Sequence, residues 1–102
     1  KYLDGKIPEG SRASVMDGGM WRDNSYSEPA IRAYIDVAKK HGLDIAQMAI
    51  AFSASRPFMT SVIIGATTID QLKTNIAAGA LQLSDEVLVD IEKVYRSYPR
   101  PL

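Results

Sequence analysis

From residue 27 onward apolar and polar positions alternate mostly with a helical period, and before it they show no period. Ile31, Tyr34, Ile35 and Ala38 recur at three- and four-residue spacing and predict a helix over about 28–40. Ser27 stands before Glu28-Pro29, where a hydroxyl caps free amides, a carboxylate suits the helix dipole and proline forfeits no hydrogen bond. Lys39 and Lys40 complement the far end, His41 is expected to cap it, and Gly42 supplies the left-handed residue that stops it. Asp44 opens a second helix, about 45–55, whose run from Ile45 to Phe52 is apolar nearly all round and should be covered on several sides. Pro57 ends that helix.

Ser61-Val62-Ile63-Ile64, closed by Gly65, reads as a short, fully buried strand. Thr68-Ile69-Asp70-Gln71 fits a capping box and predicts a helix over about 68–78, with Ile69, Leu72 and Ile76 facing inward and an end near Gly79. Ser84, followed by Asp85 and Glu86, starts a last helix over about 85–96 that turns Val87, Leu88, Ile91, Val94 and Tyr95 inward. Residues 1–27, with five glycines and prolines and scattered Ser, Asp and Asn, read as a long loop. Tyr2, Met16, Met20 and Trp21 give that loop apolar groups to pack. A single buried strand leaves amides and carbonyls unpaired unless neighbours flank it. Loop, helix, helix, strand, helix, helix is therefore expected to be the closing part of an α/β protein whose other strands lie before Lys1, and an opening without Met agrees.

Composition narrows the partners. The chain has 102 residues, with 12 Lys plus Arg against 12 Asp plus Glu, so no basic surplus is available to neutralise nucleic-acid phosphates. No apolar run approaches the roughly 18–20 residues of a membrane span, and no secretory leader pattern opens the chain. Neither nucleic acid nor membrane is expected as a partner. Zero cysteines exclude disulfides, thiolate zinc sites and cysteine nucleophiles, and fit a cytoplasmic setting. The acids are scattered and His41 is the only imidazole, so neither a metal cluster nor a nucleophile–base pair is apparent. The sharpest chemical signal is Ile63-Ile64-Gly65-Ala66-Thr67-Thr68-Ile69-Asp70-Gln71. A strand end, a glycine turn and a capped helix present free amides suited to a phosphate, or make an ordinary βα turn.

These residues resemble a known family. Lys1-Tyr2 with Gly5, Pro8 and Ser11-Arg12 is similar to the loop after the seventh strand of aldo/keto reductases, in the branch that includes potassium-channel beta subunits and bacterial relatives. Asp44 to Phe52 resembles the helix before that family's eighth strand, and Ser61 to Thr68 with Gln71-Leu72 and Asn75-Ile76 resembles the eighth strand and the helix after it. The resemblance runs from Lys1 to about Ile91. It implies the C-terminal part of a (β/α)8 barrel, mostly helical with one barrel strand at about 61–64, binding NADPH at the C-terminal face, with NADH the alternative. Lys1, Ser11 and Arg12 would clasp the phosphates, Ile63, Gly65, Thr67 and Gln71 would line the adenosine phosphate site, and Asn75 would meet the adenine edge. Thr74 stands where relatives usually have a Glu that holds adenine, and Gly65-Ala66 where many carry a Lys. The expected substrate is a small-molecule carbonyl compound, and the other expected partner is the remainder of the barrel. The Asp, Tyr, Lys and His that work on the carbonyl lie earlier in the family's barrel, so no catalytic residue is expected in these 102 residues. A cofactor-sensing subunit without turnover and a free-standing helical interaction module are the alternatives.

Overall fold

The structure, a computed structural model, describes residues 2–16 and 25–100. Lys1, Met20, Trp21 and Pro101 lie outside the described residues. In chain order the helices are α1 (Arg12–Val15), a single turn, then α2 (Ser27–Lys40), α3 (Ile45–Ala54), α4 (Ile69–Ala77) and α5 (Asp85–Ser97). Short 3-10 turns occupy Leu3–Gly5 and Ala78–Ala80.

Local chemistry sets most helix ends. Asp44 accepts from the Gln47 amide at 3.0 Å, Thr68 from Gln71 at 3.1 Å and Ser84 from Val87 at 3.4 Å, each satisfying a first-turn donor. At the end of α2 Gly42 takes φ 66°, its amide donates to the Lys39 carbonyl at 3.1 Å, and Leu43 donates to Ala38 at 2.8 Å. That pair of reversed bonds is the Schellman arrangement, and it turns the chain into α3. The start of α2 differs from expectation. Ser27 is already inside the helix and buried, with Tyr26 at the cap position. Glu28 instead ties the entry down, accepting from the Asp4 amide at 3.3 Å and from the Arg32 guanidinium, which also pairs with the Asp4 carboxylate.

The core lies where α2, α3 and α5 meet. Val37, Ala38, Met48, Val87, Ile91 and Val94 are buried there, with Tyr34, Leu43, Phe52 and Leu83 packed around them. α4 joins through α3 and the Ala78–Ala80 turn, where Ala78 is buried.

Five expectations about burial are corrected, the first being that Tyr95 of α5, expected to face inward, is exposed. Residues 61–64 form no strand: no ladder partner lies beside them among the described residues, and Ile63 is 96% exposed. Ile69, Leu72 and Ile76 do not face a core; all three are exposed, because α4 packs through its other side. In α3 only Met48 and Ala51 are buried, so its apolar run is covered on one face rather than several. In α2 the buried stripe is Ala30, Val37 and Ala38, rotated from the expected one, and Ile31 is left exposed. Together these leave 7743 Å² accessible, against about 5,700 Å² for a typical folded monomer of 11.2 kDa. The helices hold together around a small core and keep a large apolar surface uncovered.

Candidate functional site

The turn from Gly65 to Thr68 and the first two turns of α4 form the most organised polar cluster among the expected site residues. Thr67 donates to the Gln71 side-chain oxygen twice, from its amide at 2.9 Å and from its hydroxyl at 3.1 Å. The expected capping box has Gln71 reaching the Thr68 amide; it reaches Thr67, one residue earlier, so the reciprocal bond closes a slightly wider loop. One turn further along α4, the Asn75 side-chain amide donates to the Gly65 carbonyl at 3.4 Å. Gln71 and Asn75 stand four residues apart on one helix face, which is why both reach the same turn. Gly65 has open space where a side chain would stand, with nothing within 4 Å of an added Cβ.

The electrostatics of this turn suit an anion. The Ile69 and Asp70 amides belong to the first turn of α4, whose donors have no carbonyl one turn earlier in the helix and carry the positive end of its dipole. The Asp70 carboxylate shares that turn. Gln47, which the sequence reading assigned no role, crosses from α3 to donate from its side chain to the Thr74 carbonyl at 3.0 Å. Its spacing from Asp44 is that of a capping-box glutamine, so the available signal pointed to the start of its own helix.

Ser11 and Arg12 sit on the other expected half of the site. A turn with Gly10 at φ 72° brings the Ser11 amide onto the Pro8 carbonyl at 3.1 Å. The Ser11 residue is 4% exposed and its hydroxyl is buried with no hydrogen-bond partner. The Ala13 amide donates to the Tyr2 hydroxyl at 3.2 Å, and the exposed Arg12 leans on the Met16 sulfur at 3.3 Å. Bonds from this loop run to the start of α2, whereas those of Gln71 and Asn75 stay within the turn before α4. Gly65, Thr67, Gln71 and Asn75 are thus brought together, Ile63 lies exposed two residues ahead of them, and Lys1 lies outside the described residues.

A second polar cluster joins α2 to α5. The His41 Nε2 lies 2.7 Å from an Asp90 oxygen, to which the Lys40 ammonium donates at 2.8 Å, with Lys93 at 3.8 Å from the other oxygen. The Lys40 and His41 hydrogen bonds hold the Asp90 carboxyl at about 2, below its ordinary 3.8, and Asp90 raises Lys40 in return. His41 does stand at the cap position of α2, but its ring is a cross-helix partner of Asp90. Among the described residues no group of three His, Cys, Asp or Glu side chains could hold a metal ion, and no helix is long and apolar enough to cross a membrane.

Beside the core an open groove of about 660 Å³ is lined by Ile31, Ile45, Phe52, Phe58, Met59 and Tyr95, among others. Arg56 stacks over the Phe52 ring at 4.4 Å. The groove is a mostly apolar continuation of the uncovered surface, with Ser53, Arg56 and Glu92 also on its walls.

The sequence profile of the aldo/keto reductase family matches residues 2–96. The chain belongs to the aldo/keto reductase family. It is 46% identical over 101 residues to Protein tas of Escherichia coli, covering 99% of this chain and 29% of that protein. It is 34% identical over 105 residues to a probable voltage-gated potassium channel subunit beta of Oryza sativa, covering 98% and 32%, and 33% identical to the corresponding Arabidopsis thaliana protein. The chain spans under a third of the length of these curated relatives.

Proposed function

We propose that this chain is the nucleotide-holding C-terminal portion of an aldo/keto reductase barrel that reduces aldehydes or ketones to alcohols with NADPH. The organised turn carries the reading: Gly65, Thr67, Gln71 and Asn75 meet at the head of α4, where free amides favour an anion, in a chain of this family. In this reading residues 1–27 are the cofactor-side loop, 28–56 the two helices before the last barrel strand position at 61–64, and the two later helices close the domain. The exposed Ile63, Ile69, Leu72 and Ile76 and the open groove are surface that a closed barrel wall would bury.

Two local features fit a phosphate-bearing cofactor. The buried Ser11 hydroxyl lacks a partner, at a cost of about 1–3 kcal/mol that a phosphate oxygen would offset. Gly65 leaves the backbone open to close approach. Lys1, Ser11 and Arg12 would hold phosphate charge, Ile63, Gly65, Thr67 and Gln71 would line the adenosine phosphate side, and Asn75 would face adenine. Arg12 and Lys1 favour a 2′-phosphate, hence NADPH over NADH. The bound cofactor supplies hydride; this chain's residues bind and orient it. The proton-donating residues of the family have no counterpart assigned here, so the chain alone binds without turning over. A second reading, a subunit that keeps the cofactor without needing turnover, follows from the similarity to the plant channel subunits.

Titrating the chain with NADPH and with adenosine 2′,5′-bisphosphate, while following backbone amide resonances, tests the reading. Shifts should centre on Gly65, Thr67, Gln71 and Asn75, and added aldehyde should cause no NADPH oxidation. Unchanged resonances at those four residues would overturn the binding role, and carbonyl-dependent oxidation would overturn the inactivity of the chain alone.

A further inference from the structure

We propose that Gln47 is a positioning residue for the nucleotide turn, acting from α3 through the Thr74–Asn75 peptide; this rests on the nucleotide reading above. Its own backbone is pinned, because its amide donates to the Asp44 carboxylate at 3.0 Å. The side chain is not spent on that cap. It crosses to α4 and donates to the Thr74 carbonyl at 3.0 Å in a partly buried contact. Thr74 lies in the last full turn of α4, so Gln47 ties the C-terminal half of that helix to α3. The next residue is Asn75, whose side chain reaches back to the Gly65 carbonyl, and one turn earlier Gln71 takes both donors of Thr67.

The rotation of α4 about its axis therefore decides whether Asn75 and Gln71 reach the turn, and Gln47 is the polar contact that fixes this rotation against α3. The apolar side of α4 cannot do so here, since Ile69, Leu72 and Ile76 are exposed. Gln47 touches no expected ligand position, yet its loss should loosen Gly65 and Thr67 more than the rest of the fold.

The test compares wild type with Gln47→Met, which keeps size but removes the donor, and Gln47→Lys, which restores a donor of similar reach. Hydrogen exchange should quicken at the Thr67 amide and the Asn75 side chain in Gln47→Met, by roughly three- to tenfold for one lost hydrogen bond, while α5 stays protected. Adenosine 2′,5′-bisphosphate should bind more weakly by a similar factor, and Gln47→Lys should recover most of both. Exchange at Thr67 and Asn75 equal to wild type overturns the proposal; so does uniform acceleration throughout α3, α4 and α5, which would mark a merely structural role. Should Gln47→Met unfold, slow exchange of the Gln47 side-chain amide in wild type, together with a shift of its resonance on adding the bisphosphate, supports the proposal. Rapid exchange there overturns it. A wild type that fails to bind the bisphosphate overturns the nucleotide reading, and the exchange comparison still decides the coupling.

Discussion

Asp90 has three basic neighbours, and among the described residues its carboxyl is the one whose protonation the fold most strongly opposes. Lys40 and His41 hold it at about 2, so the folded chain keeps the carboxylate where an unfolded chain, at its ordinary 3.8, takes up a proton. A depressed folded value contributes stability that is complete above about pH 4 and disappears as the pH falls toward 2. We expect Asp90→Asn to lower the urea midpoint at pH 7 and the gap from wild type to close between pH 4 and pH 2. A gap that persists unchanged at pH 2 would show that the residue acts by packing alone. The raised Lys40 gives the opposite limb, its share being lost only as the pH rises past the ordinary lysine range. The caps at Asp44, Thr68 and Ser84 were legible at this scale because donor and acceptor lie three residues apart. Asp90 was not, because its two hydrogen-bond partners, Lys40 and His41, are 50 and 49 residues away and nothing local selects them.

The elements owe their ends to local rules and their buried faces to their neighbours. Gly42 shows the first point: at φ 66° a side chain meets no atom within 4 Å, so the only obstacle to substitution is the left-handed backbone. Gly42→Ala should cost about 1–2 kcal/mol, read as a lower urea midpoint with an unchanged slope. A loss near zero would mean that the end of α2 reforms without the Schellman bonds. α4 shows the second point. Its Ile69, Leu72 and Ile76 have ideal inward spacing, yet the helix turns that face to solvent and docks through Gln47 and Ala78 instead. Periodicity identifies which face is apolar; only a neighbouring surface can bury it.

At the scale of the molecule the chain is expanded as well as exposed. Its radius of gyration is 14.3 Å, against about 13 Å for a compact domain of this length. Ile63 stands at the most exposed point of the apolar surface. Ile63→Asp should therefore change the stability of this chain by less than about 0.5 kcal/mol while reducing its tendency to self-associate, measured by urea unfolding and sedimentation. A large loss would show that the residue is buried in solution. Local sequence sets the four longer helices, the caps at Asp44, Thr68 and Ser84, the glycine stop after α2 and the family, because each rests on residues close together or on an ordered set of motifs, whereas the Ser27 cap and the single turn α1 did not follow from it. It also singled out Gly65, Thr67, Gln71 and Asn75, which one turn and one helix bring together. The tertiary structure alone decided that α2, α3 and α5 make the core, that Asp90 joins His41, that Gln47 reaches Thr74, and that 61–64 is not a strand. Each of those depends on which surfaces meet across long stretches of chain, and a strand in particular exists only where another backbone offers it hydrogen bonds.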